Sequence, residues 1–280
     1  MARGRRQAQR VFVAQPLAHG VTIACDPGQR NYLLNVLRLT DGDAVHVFNG
    51  VDGEWHAVLR TPSRKVCALE PVEQRRAQTD GPELTLAFAP LKRDRLDYLV
   101  QKATELGVRA ICPVMTERVQ TQRLKLDRLE ANVIEAAEQC GVLRIPSVAS
   151  PVAFDDFLAA RGDDDDDDGA GDGGEVAQAA RTGGAVEASI TAQTVASGRR
   201  SLVFCDEAAE VANPIAALSS LVLPLTVLIG PEGGFSPRER DRLLARADTC
   251  AISLGPRIMR ADTAVVAALA LVNAVVGDWQ

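Results

Sequence analysis

Residues 225–239 read LTVLIGPEGGFSPRE. The apolar run Leu225–Ile229 is typical of a buried strand, and it leads directly into the glycine-rich loop Gly230–Gly234. Ser236, Pro237 and Glu239 then open a helix, with Ser236 as its expected N-cap. A strand, a tight loop and a helix in this order predict an α/β unit, where ligands collect at the carboxyl ends of strands. A plain strand-to-helix turn fits the loop equally well.

The same alternation extends through most of the chain after residue 82. Further strands are predicted at Leu84–Ala89, Arg109–Met115, Ser201–Cys205 and Cys250–Leu254. Helices are predicted at 96–106, ending at Gly107, and at Arg128–Cys140, with Asp127 as N-cap and Gly141 as the stop. This pattern predicts a mostly parallel sheet with helices on both faces.

The last predicted helix, Ala264–Val276, follows the loop Leu254–Arg260, with Asp262 as its expected N-cap. It is apolar on nearly all sides. Such a helix is either buried in one large core or covered on its second face by a partner subunit.

The N-terminal part shows a different pattern of predicted elements. Short strands are predicted at Val11–Val13, Val21–Ala24, Ala44–Phe48, Glu54–Leu59 and Val66–Leu69, with a helical turn at Gln29–Leu37. Because turn residues separate them, we expect a small antiparallel β domain, closed as a barrel. The polar stretch Gln74–Pro82 is the expected domain boundary, and the low-complexity segment 161–200 is an expected disordered insertion.

Composition places the chain among folded proteins of about two domains. Its 280 residues are 46% hydrophobic and 24% charged, close to globular averages. The formal net charge of −6 is concentrated in the aspartate run Asp163–Asp168, so the rest is nearly neutral. Four arginines crowd the N-terminus, which fits either phosphate contact or a solvated basic tail; they are Arg3, Arg5, Arg6 and Arg10.

Several sites and locations are disfavoured. The six cysteines lie far apart with no C-x-x-C pair, so we expect neither a zinc site nor a disulfide scaffold. No secretory apolar segment is evident, and the run Ala264–Val276 is shorter than the ~20 residues of a membrane span. We therefore expect a soluble cytoplasmic protein without a metal.

Two glycine-rich segments do not fit the nucleotide-binding motifs that they partly match. Gly169, Gly171 and Gly174 match G-x-G-x-x-G, but no strand precedes them and the adjacent aspartates would repel a pyrophosphate. The Gly230–Gly234 loop lacks the Lys-Ser or Lys-Thr of a Walker A loop, which disfavours a nucleotide hydrolase.

Two C-terminal motifs together carry a family resemblance. Leu228–Phe235 (LIGPEGGF) and Leu254–Arg260 (LGPRIMR) resemble the paired signature of the SPOUT methyltransferases, more narrowly the ribosomal RNA small subunit methyltransferase E family. Further matching segments follow the same order: Asn35–Arg38, Gln101–Val108, Glu117–Arg118 and Glu135–Gly141. The resemblance covers nearly the whole chain outside 161–200.

This resemblance implies a PUA-like β-barrel that helps to hold RNA over residues 1–76, and a SPOUT-type α/β domain threaded into a trefoil knot over residues 82–280. It implies S-adenosylmethionine as cofactor, bound in the knot, and a homodimer. The implied reaction is methylation of the ring N3 of a uridine in 16S rRNA of the small ribosomal subunit. A related knotted methyltransferase with another target, or a non-catalytic RNA-binding assembly factor, stays open.

The resemblance also assigns roles to residues. Arg260 is the expected electrophilic catalytic residue, and Glu232 is expected to contact the ribose, assist proton removal or anchor its loop. The expected cofactor-binding residues are Gly230, Glu232, Gly233, Gly234, Leu254, Gly255, Ile258, Met259 and Thr263. The expected RNA contacts, each of which also fits an ordinary surface ion pair, are Arg38, Lys92 and Arg118.

Two positions depart from the family pattern. Val142 stands where the family carries an arginine, with Arg144 two residues later. The family's Arg-Thr-Glu-Thr at the last loop is replaced by residues 260–263, Arg-Ala-Asp-Thr. Both departures concern individual contacts, because the loops that supply backbone groups are intact.

Overall fold

The computed structural model describes residues 9–63, 66–121, 123–161, 200–209 and 213–279. The chain divides into two compact units. The first comprises Met1–Gly81 and Val133–Ile145, and the second comprises Pro82–Asn132 and Pro146–Gln280. Every helix in the described ranges is too short or too polar to cross a bilayer.

The first unit is built on a curled five-stranded sheet in the order β1-β3-β4-β5-β2. Its elements are β1 (Arg10–Phe12), β2 (Ile23–Ala24), α1 (Pro27–Asn31), β3 (Ala44–Phe48), β4 (Glu54–Ser63) and β5 (Val66–Arg76). The expected antiparallel pairing is confirmed for β2 with β5, β3 with β4 and β4 with β5, and is wrong for β1, which pairs with β3 in parallel. Aliphatic side chains from alternate positions form its core, among them Val11, Val45 and Leu59.

Strands β4 and β5 are longer than their apolar patterns, which end at Leu59 and Leu69. The added residues are mostly polar and exposed. They are held by backbone pairing across the hairpin, for example Ser63 with Val66, rather than by burial. Hydrophobic alternation therefore marks only the half of this hairpin that covers the core.

The helical turn predicted at Gln29–Leu37 begins earlier, at Pro27, because Asp26 and Gln29 form a capping box. It continues from α1 into a single π turn, Tyr32–Val36. Arg38 follows shortly after, and its φ of 57° makes it the one non-glycine residue with positive φ among those described. Left-handed backbone is costly for a residue with a side chain.

The second unit contains a seven-stranded sheet in which every pairing is parallel, as predicted. Its strands are β6 (Leu84–Phe88), β7 (Ala110–Met115), β8 (Ser147–Val148), β9 (Val152–Ala153), β10 (Ser201–Cys205), β11 (Leu225–Ile229) and β12 (Thr249–Ile252). The order is β12-β10-β11-β6-β7-β8, with β9 on β7. Strand β11 is buried along its whole length, as expected for a central parallel strand.

The helices with residues in this unit are α2 (Arg93–Glu105), α3 (Leu126–Cys140), α4 (Phe154–Ala159), α5 (Pro214–Leu218), α6 (Pro237–Leu244) and α7 (Ala261–Val275). The predicted N-cap of α6 at Ser236 is confirmed, and the structure adds a capping box in which Ser236 and Glu239 are bonded to each other's backbone. The caps predicted for α3 and α7 are wrong. Both helices begin earlier, so Asp127 and Asp262 lie inside the first turn, where a carboxylate is favoured by the helix dipole.

The expected disordered insertion, 161–200, is wrong at its two end residues, Arg161 and Arg200, which the structure describes. Arg161 is buried, and its guanidinium bonds Asp248, the hydroxyl of Thr226 and the backbone carbonyl of Arg200. Burial alone would raise the pKa of Asp248, but hydrogen bonds and charges from its arginine partners lower it. Residues 162–199 lie outside the described part of the chain. The segment therefore starts and ends on one buried ionic cluster.

Candidate active site

The carboxyl ends of three neighbouring strands, β12, β10 and β11, meet at one edge of the sheet. Cys205 at the end of β10 is in register with Ile229 of β11 and Ile252 of β12. The chain segments that follow these strands therefore leave the sheet side by side. They enclose a cavity of about 180 Å³, in the position where open parallel sheets bind ligands.

Most of the expected cofactor-binding residues line this cavity. Those that do are Gly230, Glu232, Gly234, Leu254, Gly255, Ile258 and Met259. Gly233 faces a second depression instead, and exposed Thr263 bonds Asp262. Arg260, the expected catalytic residue, is exposed at the N-cap of α7 and is not part of the lining, although its neighbour Ala261 is.

The glycine-rich loop is packed so that Gly230 has no room for a side chain. A Cβ there would lie 2.6 Å from Cε2 and 2.9 Å from Cδ2 of Phe235. The Phe235 ring is held in turn edge-to-face against Phe204, with centroids 5.1 Å apart, and beside Phe154 at 6.3 Å. The loop is therefore fixed on the aromatic core under the cavity floor.

The far end of the loop is fixed by the start of α6. Gly234 has a φ of 67°, which glycine adopts without strain, and the chain then enters the capping box. Glu239 is buried, and besides its bond to the Ser236 backbone it accepts a 2.8 Å hydrogen bond from the backbone N–H of Glu117. The loop after β7 is thereby connected to the loop after β11.

The cavity includes charged residues that the sequence analysis missed. They are Asp206, Glu207, Arg240 and Arg257. Asp206 is buried, and its carboxylate accepts bonds from the Arg240 Nε at 2.9 Å and the Ala208 N–H at 3.1 Å. A usable signal existed, because Asp206 directly follows the predicted strand Ser201–Cys205 and so had to lie at the same sheet edge as Gly230.

A second, smaller depression lies on the other side of the glycine-rich loop. It is lined by Pro90, Leu91, Lys92, Arg118, Gln120, Thr121, Pro231, Glu232 and Gly233. Two of the expected RNA contacts, Lys92 and Arg118, are thus brought together. Arg118 donates a 2.8 Å hydrogen bond to the carbonyl of Gly233, and Glu232 forms an ion pair with Arg95 of α2.

The third expected RNA contact, Arg38, belongs to the first unit and is exposed on the strained turn described above. In the same unit, Val142 uses its backbone carbonyl to accept a 2.8 Å bond from Arg10 and packs its side chain near Phe48. The departure from the family's arginine therefore places an apolar side chain in a small core.

The cavity lining fits S-adenosylmethionine in its chemistry. Carboxylates of Asp206, Glu207 and Glu232 are suited to a cationic ligand with hydroxyl and ammonium donors. Apolar side chains such as Leu254 and Met259 offer a surface for a purine ring. Backbone groups of the glycine-containing loops are accessible beside both.

Comparisons with known proteins agree with this geometry. A family model described as an RNA methyltransferase domain matches residues 79–168 and 176–273, and one described as an RNA methyltransferase PUA domain matches 26–72. Ribosomal RNA small subunit methyltransferase E of Rickettsia conorii is 28% identical over 267 residues, covering 94% of each chain.

Solved structures share the fold. A Legionella pneumophila protein solved in complex with S-adenosylmethionine is 25% identical, with a TM-score of 0.74 over 98% of this chain and 100% of that chain. Ribosomal RNA small subunit methyltransferase E of Neisseria gonorrhoeae, bound to S-adenosylmethionine, is 24% identical with a TM-score of 0.72 and the same coverage. Because the first family model spans more than half of the sequence and the second matches the N-terminal sheet, the chain belongs to the RNA methyltransferase family and carries a PUA-like N-terminal domain.

Proposed function

We propose that this protein transfers a methyl group from S-adenosylmethionine to the ring N3 of a uridine in the 16S rRNA of the small ribosomal subunit. The observation that carries the proposal is the cavity at the carboxyl ends of β10, β11 and β12, with a basic depression directly behind its central loop. Relatives across nearly the full chain length are named for this class of enzyme, ribosomal RNA small subunit methyltransferase E.

The protein's main task in this reaction is alignment. Bound S-adenosylmethionine supplies a methyl group on a sulfonium centre, which is transferred by in-line displacement. Holding donor and acceptor in line at near-attack distance can supply several kcal/mol of the barrier reduction. Loops 230–235 and 253–259, one fixed on the Phe235 cluster, would hold the donor side through backbone groups.

The acceptor must be deprotonated, because N3 of neutral uridine carries a proton. As that proton leaves, negative charge develops on the ring and is stabilised by a nearby cation. We assign this role to Arg260, which precedes the cavity residue Ala261. Glu232, at the cavity rim, is assigned to ribose contact or proton removal.

The RNA must present its target base unstacked, because modifying enzymes reach ring atoms only after the base leaves its stack. Lys92 and Arg118 beside the cavity and Arg38 on the first unit are the proposed RNA contacts. Their cationic groups suit phosphate, the dominant source of affinity for nucleic acids.

The finer architecture is part of the same proposal. We assign residues 1–76 to the PUA-like domain and 82–280 to a methyltransferase domain threaded as a trefoil knot. We also propose a homodimer in the cytoplasm. Helix α7 supports a dimer because it has half-buried apolar residues, such as Val266 and Leu271, outside its buried face. Light scattering on the purified protein tests this state.

Transfer of labelled methyl to small ribosomal subunits that lack uridine N3 methylation tests the function, followed by nucleoside analysis. A single N3-methyluridine is expected. Methylation of another atom or another RNA would replace the specific assignment with a related methyltransferase activity. No transfer and no cofactor binding would favour an RNA-binding assembly factor.

The Arg260 assignment has its own test. Arg260→Ala is expected to slow methyl transfer while S-adenosylmethionine still binds. Arg238→Ala is the control, because Arg238 is an exposed arginine paired with Asp155 and Glu117 on the surface. An unchanged rate in Arg260→Ala would refute the assignment.

A further inference from the structure

The glycine-rich loop forms a wall between two cavities. Strand β11 lies between β10 and β6 in the sheet, so its loop borders the segments after β10 on one side and those after β6 and β7 on the other. Pro231 and Glu232 line both the cofactor cavity and the smaller depression. A ligand that moves Glu232 in one cavity therefore also changes the lining of the other.

The smaller depression is basic apart from Glu232. Lys92 and Arg118 are the cations of its lining, and Glu232 is the one acid among the described residues that form it. Arg95 reaches Glu232 from α2, which adds a third cation at the rim. Within the described ranges the Lys92 side chain forms no ion pair or hydrogen bond. The depression and its rim therefore hold three cations, one of them unpaired, and the single carboxylate of Glu232.

Space in the depression is limited while Glu232 occupies its rim. The remaining cavity is about 20 Å³, which is enough for about one water molecule. The Arg95 and Glu232 side chains are 35% and 38% exposed, so their pair is weakly held and exchangeable. An incoming anion can replace the carboxylate without breaking a buried contact.

We propose that this depression binds a backbone phosphate of the RNA substrate, and that the phosphate displaces Glu232 and becomes the partner of Arg95. The inference rests on the proposed function in taking RNA as the substrate. Arginine is well suited to the exchange, because its guanidinium can donate two parallel hydrogen bonds to a phosphate, just as it can to a carboxylate. Displaced Glu232 remains on the wall that it shares with the cofactor cavity.

This exchange makes Arg95 a further RNA-binding residue and gives Glu232 two positions. With RNA absent, the carboxylate is held in its ion pair with Arg95. With phosphate in the depression, Glu232 is released at the moment when the target base is delivered. RNA binding would then prepare the loop for the reaction.

The test compares RNA affinity in two charge-matched variants of the full chain, by filter binding of unmethylated small ribosomal subunits. Glu232→Gln removes the competing carboxylate, so the dissociation constant should fall by about twofold to fivefold, the range of an exposed ion pair. Glu105→Gln is the control. It removes the same charge from a similarly exposed pair, with Lys102 at the other end of α2, and should change affinity less.

Arg95→Ala should weaken binding and lower the slope of log affinity against log salt by about 1, the signature of one lost phosphate contact. Arg95→Lys keeps the charge and should keep the slope, which separates phosphate binding from misfolding. Inorganic phosphate at constant ionic strength should compete with RNA on the wild type and not on Arg95→Ala.

Equal affinities of Glu232→Gln and Glu105→Gln, or an unchanged salt slope in Arg95→Ala, would overturn the proposal. Competition by inorganic phosphate with an unchanged slope would assign the depression to free phosphate and equally overturn it. Methyl transfer is measured separately on the wild type. Failure of transfer would refute the proposed reaction, while the binding data would still decide the phosphate site.

Discussion

Replacing Gly230 by alanine tests whether the aromatic cluster positions the cofactor loop. The new Cβ would lie 2.6 Å from the Phe235 ring, and carbon atoms pack without strain at about 3.5–4.0 Å. The ring would have to withdraw by about 1 Å. Phe204 and Phe154 restrict that movement, because both rings pack against Phe235, with centroids 5.1 Å and 6.3 Å from its own.

Overpacking of this kind costs about 1–3 kcal/mol. In a chain of this size each kcal/mol corresponds to about 2–4 °C in Tm. We therefore expect Gly230→Ala to lower Tm by several degrees in differential scanning calorimetry. Titration calorimetry should also show weaker S-adenosylmethionine binding, because Gly230 and Phe235 both line the cofactor cavity.

A matched control lies three residues along the same loop. A Cβ on Gly233 would meet only Arg118 side-chain carbons at 3.8 Å, an ordinary contact, so Gly233→Ala should leave Tm and cofactor affinity nearly unchanged. Phe235→Leu removes the clashing ring atoms. In that background Gly230→Ala should cost less than in the wild type. Equal behaviour of the two alanine variants, or an unreduced cost of Gly230→Ala in the Phe235→Leu background, would refute the steric argument.

Three further predictions concern other parts of the chain. Arg38→Gly should be more stable than Arg38→Ala by about 1 kcal/mol in denaturant titration, because only glycine adopts positive φ without strain, while both variants should bind RNA equally weakly; equal stabilities would count against backbone strain. Burial raises the pKa of Glu138 above its usual value, so the stability contributed by its protonated form is lost as pH rises through that raised pKa; the Tm of Glu138→Gln relative to that of the wild type should therefore rise with pH over this range, and a Tm difference that does not change with pH would contradict the raised pKa. Arg161→Ala should lower the free energy of unfolding by about 3 kcal/mol, because it leaves Asp248 half-buried with one partner fewer; a loss under about 1 kcal/mol would show that the cluster is not stabilising.

Apolar strand patterns that end at a clear turn could be predicted from the sequence with the correct bounds. The strands Ala44–Phe48, Ser201–Cys205 and Leu225–Ile229 all have the predicted bounds. In each case a turn or glycine signal follows where pairing stops. The N-cap at Ser236 was equally predictable, because the backbone group that it caps is local in sequence.

Elements whose existence or bounds depend on contacts with residues distant in sequence could not be predicted from the sequence. The N-caps predicted at Asp127 and Asp262 were wrong because each helix begins one residue before the predicted cap, at Leu126 and Ala261, a difference that residue preference alone does not reveal. The short elements β8, β9 and α4 have no periodic pattern long enough to detect. They depend on pairing with β7 and on burial of Phe157.

The candidate site was predictable in its backbone part and less so in its charged part. Glycine loops at 230–234 and 254–255 were visible because they interrupt strong strand and helix patterns. Asp206 and Arg240 were missed, since neither stands in a motif and their contact joins the residue after β10 to a residue of α6. The link between Arg95 and Glu232 likewise exists only once β6 and β11 are neighbours.

The buried cluster around Arg161 fixes the two positions of the second unit between which additional sequence is inserted. Arg161 bonds the carbonyl of Arg200 and the carboxylate of Asp248, so the two borders of segment 162–199 are held together. When the two ends of a chain segment are already joined, each doubling of its length adds only about 0.6 kcal/mol of closure entropy. Evolution could therefore lengthen, shorten or exchange this segment almost without a stability penalty, and an engineer could graft another domain there while the loops at the carboxyl ends of β10 to β12 keep their places.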